Sequence, residues 1–200
     1  NRKRFNLPDR TVAKRFKFKL IYGATAWGYA NDSDFMDVST SQDYWQKMID
    51  EYYDKYRGVR RWHSDLVKNV MQSGRFVSPT GRVYVYSSKE VVEKLWFWRP
   101  KILNYPVQGL GADLVMIARI SFWNRIRKQG LMCLPVATVH DSLLLDCPPD
   151  SWYNVAKTVK ASVVDVPANF ERLFGKRFHL PLTAEVKVGM DAKNMEAVKC

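Results

Sequence analysis

Two β-type apolar runs separated by only two residues constrain this chain more than any other feature. Pro135-Val136-Ala137-Thr138-Val139 leads into His140-Asp141, and Ser142-Leu143-Leu144-Leu145 follows. Apolar stretches this close together have room for nothing but a tight hairpin. Asp141 then stands at the hairpin tip. A turn Asp is ordinarily a solvated turn residue. A carboxylate at the crest of two hydrophobic strands is also how a metal-binding acid is presented to a cleft, so its partners have to be sought elsewhere.

The bulk numbers narrow the class. The chain has 200 residues, 46% of them hydrophobic and 14% aromatic, which is enough for a packed core and excludes wholesale disorder. No apolar run approaches the ~18 residues of a membrane helix, so no membrane partner is expected. The opening Asn1-Arg2-Lys3-Arg4 leads into no apolar signal core, and no secretory leader is expected. Cys133, Cys147 and Cys200 are odd in number and widely spaced, which fits neither a disulfide frame nor a CxxC metal site. The net charge is +12 and uneven. Residues 1–19 carry eight cations against one acid, 20–54 one against seven, and 55–104 eleven against three. Such blocks make a two-sided molecule whose basic side suits a polyanion such as nucleic acid.

Pro8 and Asp9 start a helix expected over residues 8–22, and Gly23 stops it. At 100° per residue Arg10, Lys14, Lys17, Phe18 and Ile21 share one face. Val12, Ala13, Phe16 and Leu20 share the other, a core stripe. Residues 41–73 read as further helix, with Tyr44, Met48, Tyr52 and Tyr56 as a core stripe at four-residue spacing. Arg75 to Tyr86 alternates around Pro79-Thr80-Gly81 and reads as a hairpin. Helical pattern resumes near Lys89, is expected to be interrupted at 104–109, and returns from Asp113 to Lys128. Residues 151–174 read as helix and Leu182 to Val188 as a last strand.

Arg10, Lys14, Phe18 and Tyr22 stand at successive four-residue steps, and Gly23 follows. Two cations on one helix face suit a triphosphate, Arg by its planar fork and Lys as a point charge. A ring one turn further suits a base or sugar. This run resembles motif B of family A (Pol I-like) DNA polymerases, a family with phage members, whose pattern is Arg, three residues, Lys, seven residues, Tyr-Gly. Asn104-Tyr105-Pro106-Val107-Gln108-Gly109 is similar to the family's Asn-x-Pro-x-Gln-Gly segment. Val139-His140-Asp141 resembles motif C, and Glu185-Val186-Lys187-Val188-Gly189 its closing strand.

The resemblance implies an α+β fold, with a helical fingers subdomain over 1–94 and the C-terminal part of a polymerase palm, with its antiparallel sheet, over 95–200. It implies that Arg10 and Lys14 grip the triphosphate of a dNTP, with Lys14 also protonating the leaving pyrophosphate. Phe18 would pack on the incoming sugar. Tyr22 and Gly23 would meet the template, and Asn104, Gln108 and His140 the minor groove of primer–template DNA. Asp141 would hold catalytic metal, two Mg²⁺ ions in this family. The implied setting is the cytoplasm of a bacterial or phage-infected cell, at the nucleoid.

Three departures stand out. Ser142 replaces the Glu common after His-Asp in the family, and His-Asp-Ser also occurs in single-subunit phage-type RNA polymerases. Pro100 stands where the family has Arg, with Arg99 and Lys101 beside it. Asn194 stands near the place of a usual Trp. A further gap concerns the acids: two like-charged metal ions need more than one carboxylate, and the family's motif A Asp precedes motif B. Of the nine residues before Arg10 only Asp9 is acidic, and it lies in the helix start. The chain is therefore expected to need a second, N-terminal polypeptide carrying motif A, thumb and any exonuclease. A fragment of an RNA polymerase and a catalytically inert nucleic-acid-binding module are the alternatives.

Overall fold

The computed structural model describes residues 7–200; Arg2, Lys3 and Arg4, part of the basic N-terminal block, lie outside the described residues. The protein is α+β and consists of two compact units that divide between Val107 and Gln108. The first holds α1 (Arg10–Ile21), α2 (Ala26–Ala30), α3 (Gln42–Lys55), α4 (Arg57–Ser73), the hairpin β1 (Arg75–Val77) and β2 (Val83–Val85), and α5 (Ser88–Glu93). α6 (Leu95–Gln129) carries the boundary. The second unit continues with β3 (Leu134–Val139), β4 (Ser142–Asp146), α7 (Trp152–Val164), α8 (Val166–Phe174), β5 (Val186–Val188) and β6 (Glu196–Val198). The described strands form three separate antiparallel pairs, not one sheet.

α1 starts where Pro8 and Asp9 place it. The Asp9 carboxylate accepts from the Val12 amide at 2.9 Å and also from Thr11, satisfying two of the open N–H groups of the first turn. Ala13, Phe16 and Leu20 are buried, as the core stripe requires, and Val12 packs against them half-buried. Phe16 meets the rings of Tyr29 and Trp45 at centroid distances of 5.1 and 5.8 Å. Tyr29 stacks on Trp45, and its buried hydroxyl donates to the Phe16 carbonyl at 2.6 Å. Burial pushes the Tyr29 phenol well above its ordinary range, so this donor keeps its proton. Met48 and Tyr52 are buried in the same cluster, with Tyr44 and Tyr56 against it, so that stripe is core.

Three expectations need correction. The helical stretch 41–73 breaks at Tyr56, whose φ of −110° and ψ of 58° leave the helical region while its ring packs on Tyr52 at 4.8 Å. The expected interruption at 104–109 is absent: α6 runs through it with Pro100 and Pro106 inside. Each interior proline removes a backbone hydrogen bond, a cost of ~3 kcal/mol. Complete burial of Ile102 and Leu103 between them offsets that cost. The last strand is shorter than expected, Val186–Val188, and it pairs with an unforeseen one, with Val186 opposite Val198.

The hairpin at Asp141 forms as expected, with Val139 opposite Ser142 and a bulge between Pro135 and Ala137. Leu143 and Leu145 pack on Phe122, Ile126, Val155 and Val159. Leu134, Val136 and Val139 stay 64%, 60% and 55% exposed, an apolar surface without cover from the described residues. Cys133, Cys147 and Cys200 are free thiols. No described helix is long and apolar enough to cross a membrane.

A titratable polar group, His63, lies inside the first unit. His63 on α4 is 2% exposed, and its Nδ1 faces the Tyr53 hydroxyl at 3.0 Å. Burial, reinforced by the nearby Arg99 guanidinium, lowers its pKa to about 4. The folded protein therefore binds this proton less readily than the unfolded chain, whose His titrates near 6.5. The contribution of His63 to stability is complete above about pH 6.5 and is lost as pH falls toward 4, on the order of 2 kcal/mol after allowance for solvent screening. Urea midpoints at pH 7.5 and 4.5 should therefore differ less in His63→Asn than in the parent; an equal difference in both proteins would show that the acid sensitivity comes from other groups.

Candidate functional site

α1 presents the first part of the site. Arg10, Lys14 and Phe18 are exposed on one side, with the Lys14 ammonium 5.7 Å from the Phe18 ring centroid. Lys17 and Ile21 on the same face are half-buried. The flanking cations are occupied: Arg15 pairs with Asp34 at 2.8 Å, and Lys19 with Asp32 and, at 3.6 Å, with Asp34. The Lys19 ammonium is also the first cause holding the Asp32 carboxyl below its usual range. Neither Arg10 nor Lys14 has an acidic partner among the described residues. The acidic block visible in the sequence thus neutralises the side of the basic helix and leaves Arg10 and Lys14 exposed in line for an anion, with the half-buried Lys17 beside them. Those pairings join residues up to nineteen positions apart, and charge composition alone could not assign them.

The C-terminal turn of α1 closes as a Schellman motif. The Gly23 amide donates to Leu20 O at 2.9 Å and Ala24 to Lys19 O at 3.0 Å. Tyr22 is the half-buried cap residue. Gly23 has φ +86° and is buried; a Cβ there would lie 3.0 Å from Leu103 Cδ1 and 3.3 Å from Arg99 Nη1. Glycine is therefore required here both by the left-handed backbone and by the close approach of α6.

On α6, Asn104 and Gln108 stand one turn apart, which puts them on one face of the helix. Asn104 is half-buried and its Oδ1 is buried without a partner; Gln108 is exposed. Arg99, the neighbour of the departing Pro100, donates to Gly23 O at 3.4 Å. Lys101 lies over the rings of Phe97 and Trp98, at 3.4 and 4.8 Å.

The hairpin turn belongs to the second unit and presents residues of its own. His140 has φ 52°, the left-handed region in which His is among the better-tolerated side chains. His140 and Asp141 are both exposed. Ser142 Oγ donates to Val139 O at 2.8 Å and ties the turn shut, a structural use for the residue that departs from the family pattern. Arg119 on α6 reaches Thr138 Oγ1 at 3.3 Å and steadies β3 from behind; no sequence pattern marked it. Asp146 ends β4 opposite Leu134 and Asp150 lies beside Ser151, so neither shares the turn with Asp141.

Mg²⁺ takes carboxylate, water and phosphate oxygens. Asp141 is a donor of that kind, exposed and held on a turn. No group of three or more His, Cys, Asp or Glu that could hold a metal occurs among the described residues. Asp141 alone therefore fits one ligand position and cannot complete a two-ion site.

Comparison with known proteins places the chain in a family. Residues 2–194 match DNA polymerase family A. The DNA polymerase of Bacillus phage SP01 is 26% identical over 183 residues, 90% of this chain and 20% of that protein. DNA polymerase I A, chloroplastic/mitochondrial, of Arabidopsis thaliana is 30% identical over 164 residues, 80% of this chain and 15% of that protein. The POL domain of Pol1 from M. smegmatis, solved in complex with DNA primer-template and dNTP, matches with a TM-score of 0.67 and 25% identity, over 78% of this chain and 27% of that one. The chain thus spans a fifth or less of the length of these two curated relatives.

Proposed function

The chain belongs to DNA polymerase family A, and on that premise we propose that it supplies the nucleotide-gripping helix and one metal-holding carboxylate of a DNA-directed DNA polymerase. The observation that carries the proposal is the selective exposure on α1. Arg10 and Lys14 face outward in line with Phe18 while their cationic neighbours Arg15 and Lys19 are taken up by acids. A triphosphate fits such a line, with Arg10 binding its oxygens in a fork and Lys14 placed as a point charge and proton donor for the leaving pyrophosphate. Phe18 would pack on the sugar. Tyr22 and Gly23, at the end of the same helix, would meet the template. On α6, Asn104 and Gln108, and on the turn His140, would lie along the minor groove, whose acceptors recur at every base pair. The relative solved with primer-template and dNTP supports both ligands.

Asp141 holds a cation in this reading. The metal ions themselves would activate the primer 3′-oxygen and steady the leaving group. Their remaining carboxylate must come from outside residues 1–200, from a second polypeptide or from further sequence of a longer chain. The uncovered apolar surface of β3 supports a need for additional palm structure, since an exposed strand of this kind is an association site. The purified 200-residue chain is accordingly expected to show no primer extension with Mg²⁺ and dNTPs. Extension should appear when a family A polypeptide bearing the missing carboxylate is added. Robust extension by the pure chain alone would refute the division of the site.

A further inference from the structure

Four helices of the first unit meet at the C-terminal end of α1. The Schellman turn uses the Lys19 and Leu20 carbonyls and leaves those of Ile21 and Gly23 for other donors. Arg99 on α6 donates to Gly23 O at 3.4 Å. The same guanidinium lies beside Tyr53 on α3, and both line one cavity with His63. The Tyr53 hydroxyl lies 3.0 Å from His63 Nδ1 on α4. His63 Nε2 is buried without a hydrogen-bond partner, and the Ile21 backbone lies near the ring.

The direction of this chain of donors follows from chemistry. Arg99 only donates, so the Tyr53 oxygen accepts from it and the phenolic proton points to His63 Nδ1. Nδ1 is then bare and the imidazole is the neutral Nε2–H tautomer, its one N–H buried without a partner near the end of α1. A positive guanidinium also lies at the negative end of the α1 dipole. Donors and positive charge thus converge on the residues where α1 ends.

We propose that Arg99, Tyr53 and His63 form a positioning relay that sets the C-terminal end of α1, and through it the place of Tyr22 and Gly23. Arg99 is its central member. The inference rests on the reading of α1 as the nucleotide helix, and it adds residues from three other helices that touch no substrate. It also explains why Gly23 is closed against a side chain: a Cβ would push on Arg99 and Leu103 together.

Hydrogen exchange and binding of the fluorescent analogue mant-dATP with Mg²⁺, measured on this chain, test the relay. In Arg99→Ala, exchange at residues 20–24 should rise about tenfold while α7 and α8 keep the parent's protection. The affinity for mant-dATP should fall about tenfold. Tyr53→Phe should give a smaller effect of the same pattern, and Arg99→Lys should recover part of the loss by restoring one donor. Unchanged exchange at 20–24, an equal rise in α7 and α8, or parental affinity despite a loosened turn would each overturn the proposal. Lys14→Ala tests the underlying reading separately. If Lys14→Ala binds it as the parent does, α1 is not the nucleotide helix, and in that case, or if the parent does not bind mant-dATP without the missing palm, the exchange pattern alone decides the relay.

Discussion

Asp141→Asn is expected to remove primer extension almost completely in the polymerase completed with its missing carboxylate, by about a thousandfold or more. The substitution keeps the shape of the side chain and one acceptor oxygen but deletes the negative charge. A cation held by a carboxylate contributes several kcal/mol of charge stabilisation, and each 1.36 kcal/mol is tenfold in rate. Asp141 is exposed on a two-residue turn closed independently by Ser142 and Val139, so the fold does not depend on its charge. Stability should therefore change by about 0.5 kcal/mol or less. Single-turnover extension at several Mg²⁺ concentrations reads the effect. A rate within tenfold of the parent at all of them would mean that Asp141 is a solvated turn residue, the ordinary fate of an Asp in that position.

Where the chain's local rules and its packing agree, the sequence was readable. The 100° stripe Ala13, Phe16, Leu20 is buried as periodicity demands, and Asp9 and Gly23 end α1 because a cap acceptor and a left-handed glycine satisfy its open backbone groups. The two-residue spacing at His140-Asp141 left one hairpin to form. The continuity of α6 is not legible in the sequence because Pro100, Pro106 and the nearby glycines are breakers by local propensity. Tertiary burial of Ile102 and Leu103 overrides them, and no window of sequence contains that information. The relay was hidden for a related reason. Tyr53, His63 and Arg99 have no spacing in common with Gly23, and Arg99 lies 76 positions from it. The departure at Pro100 was visible, but what its neighbours do instead was decided by geometry: Arg99 turns to the end of α1, and Lys101 to the rings of Phe97 and Trp98.

Lys14→Ala should have the second large effect, a fall in the extension rate of about a hundredfold or more at saturating dNTP, because it removes both a charge and a proton donor. Lys14→Arg separates the two. Arginine restores the positive charge toward the triphosphate, and its guanidinium holds its protons too tightly to donate one readily to the leaving group. It should therefore recover most of the dNTP affinity but little of the rate. Stability is a clean control. Lys14 is exposed and alanine suits a helix interior. The substitution takes away the ammonium over the Phe18 ring, an interaction worth about 0.5–1 kcal/mol at such a site. If Lys14→Ala changes the Michaelis constant alone and leaves the rate within threefold, Lys14 is an electrostatic grip and the pyrophosphate takes its proton from elsewhere. If Lys14→Arg restores rate and affinity together, charge is the whole of its contribution. The roles of Arg10 and Lys14 would then differ only in geometry, the fork of one and the point charge of the other along the same exposed line of α1.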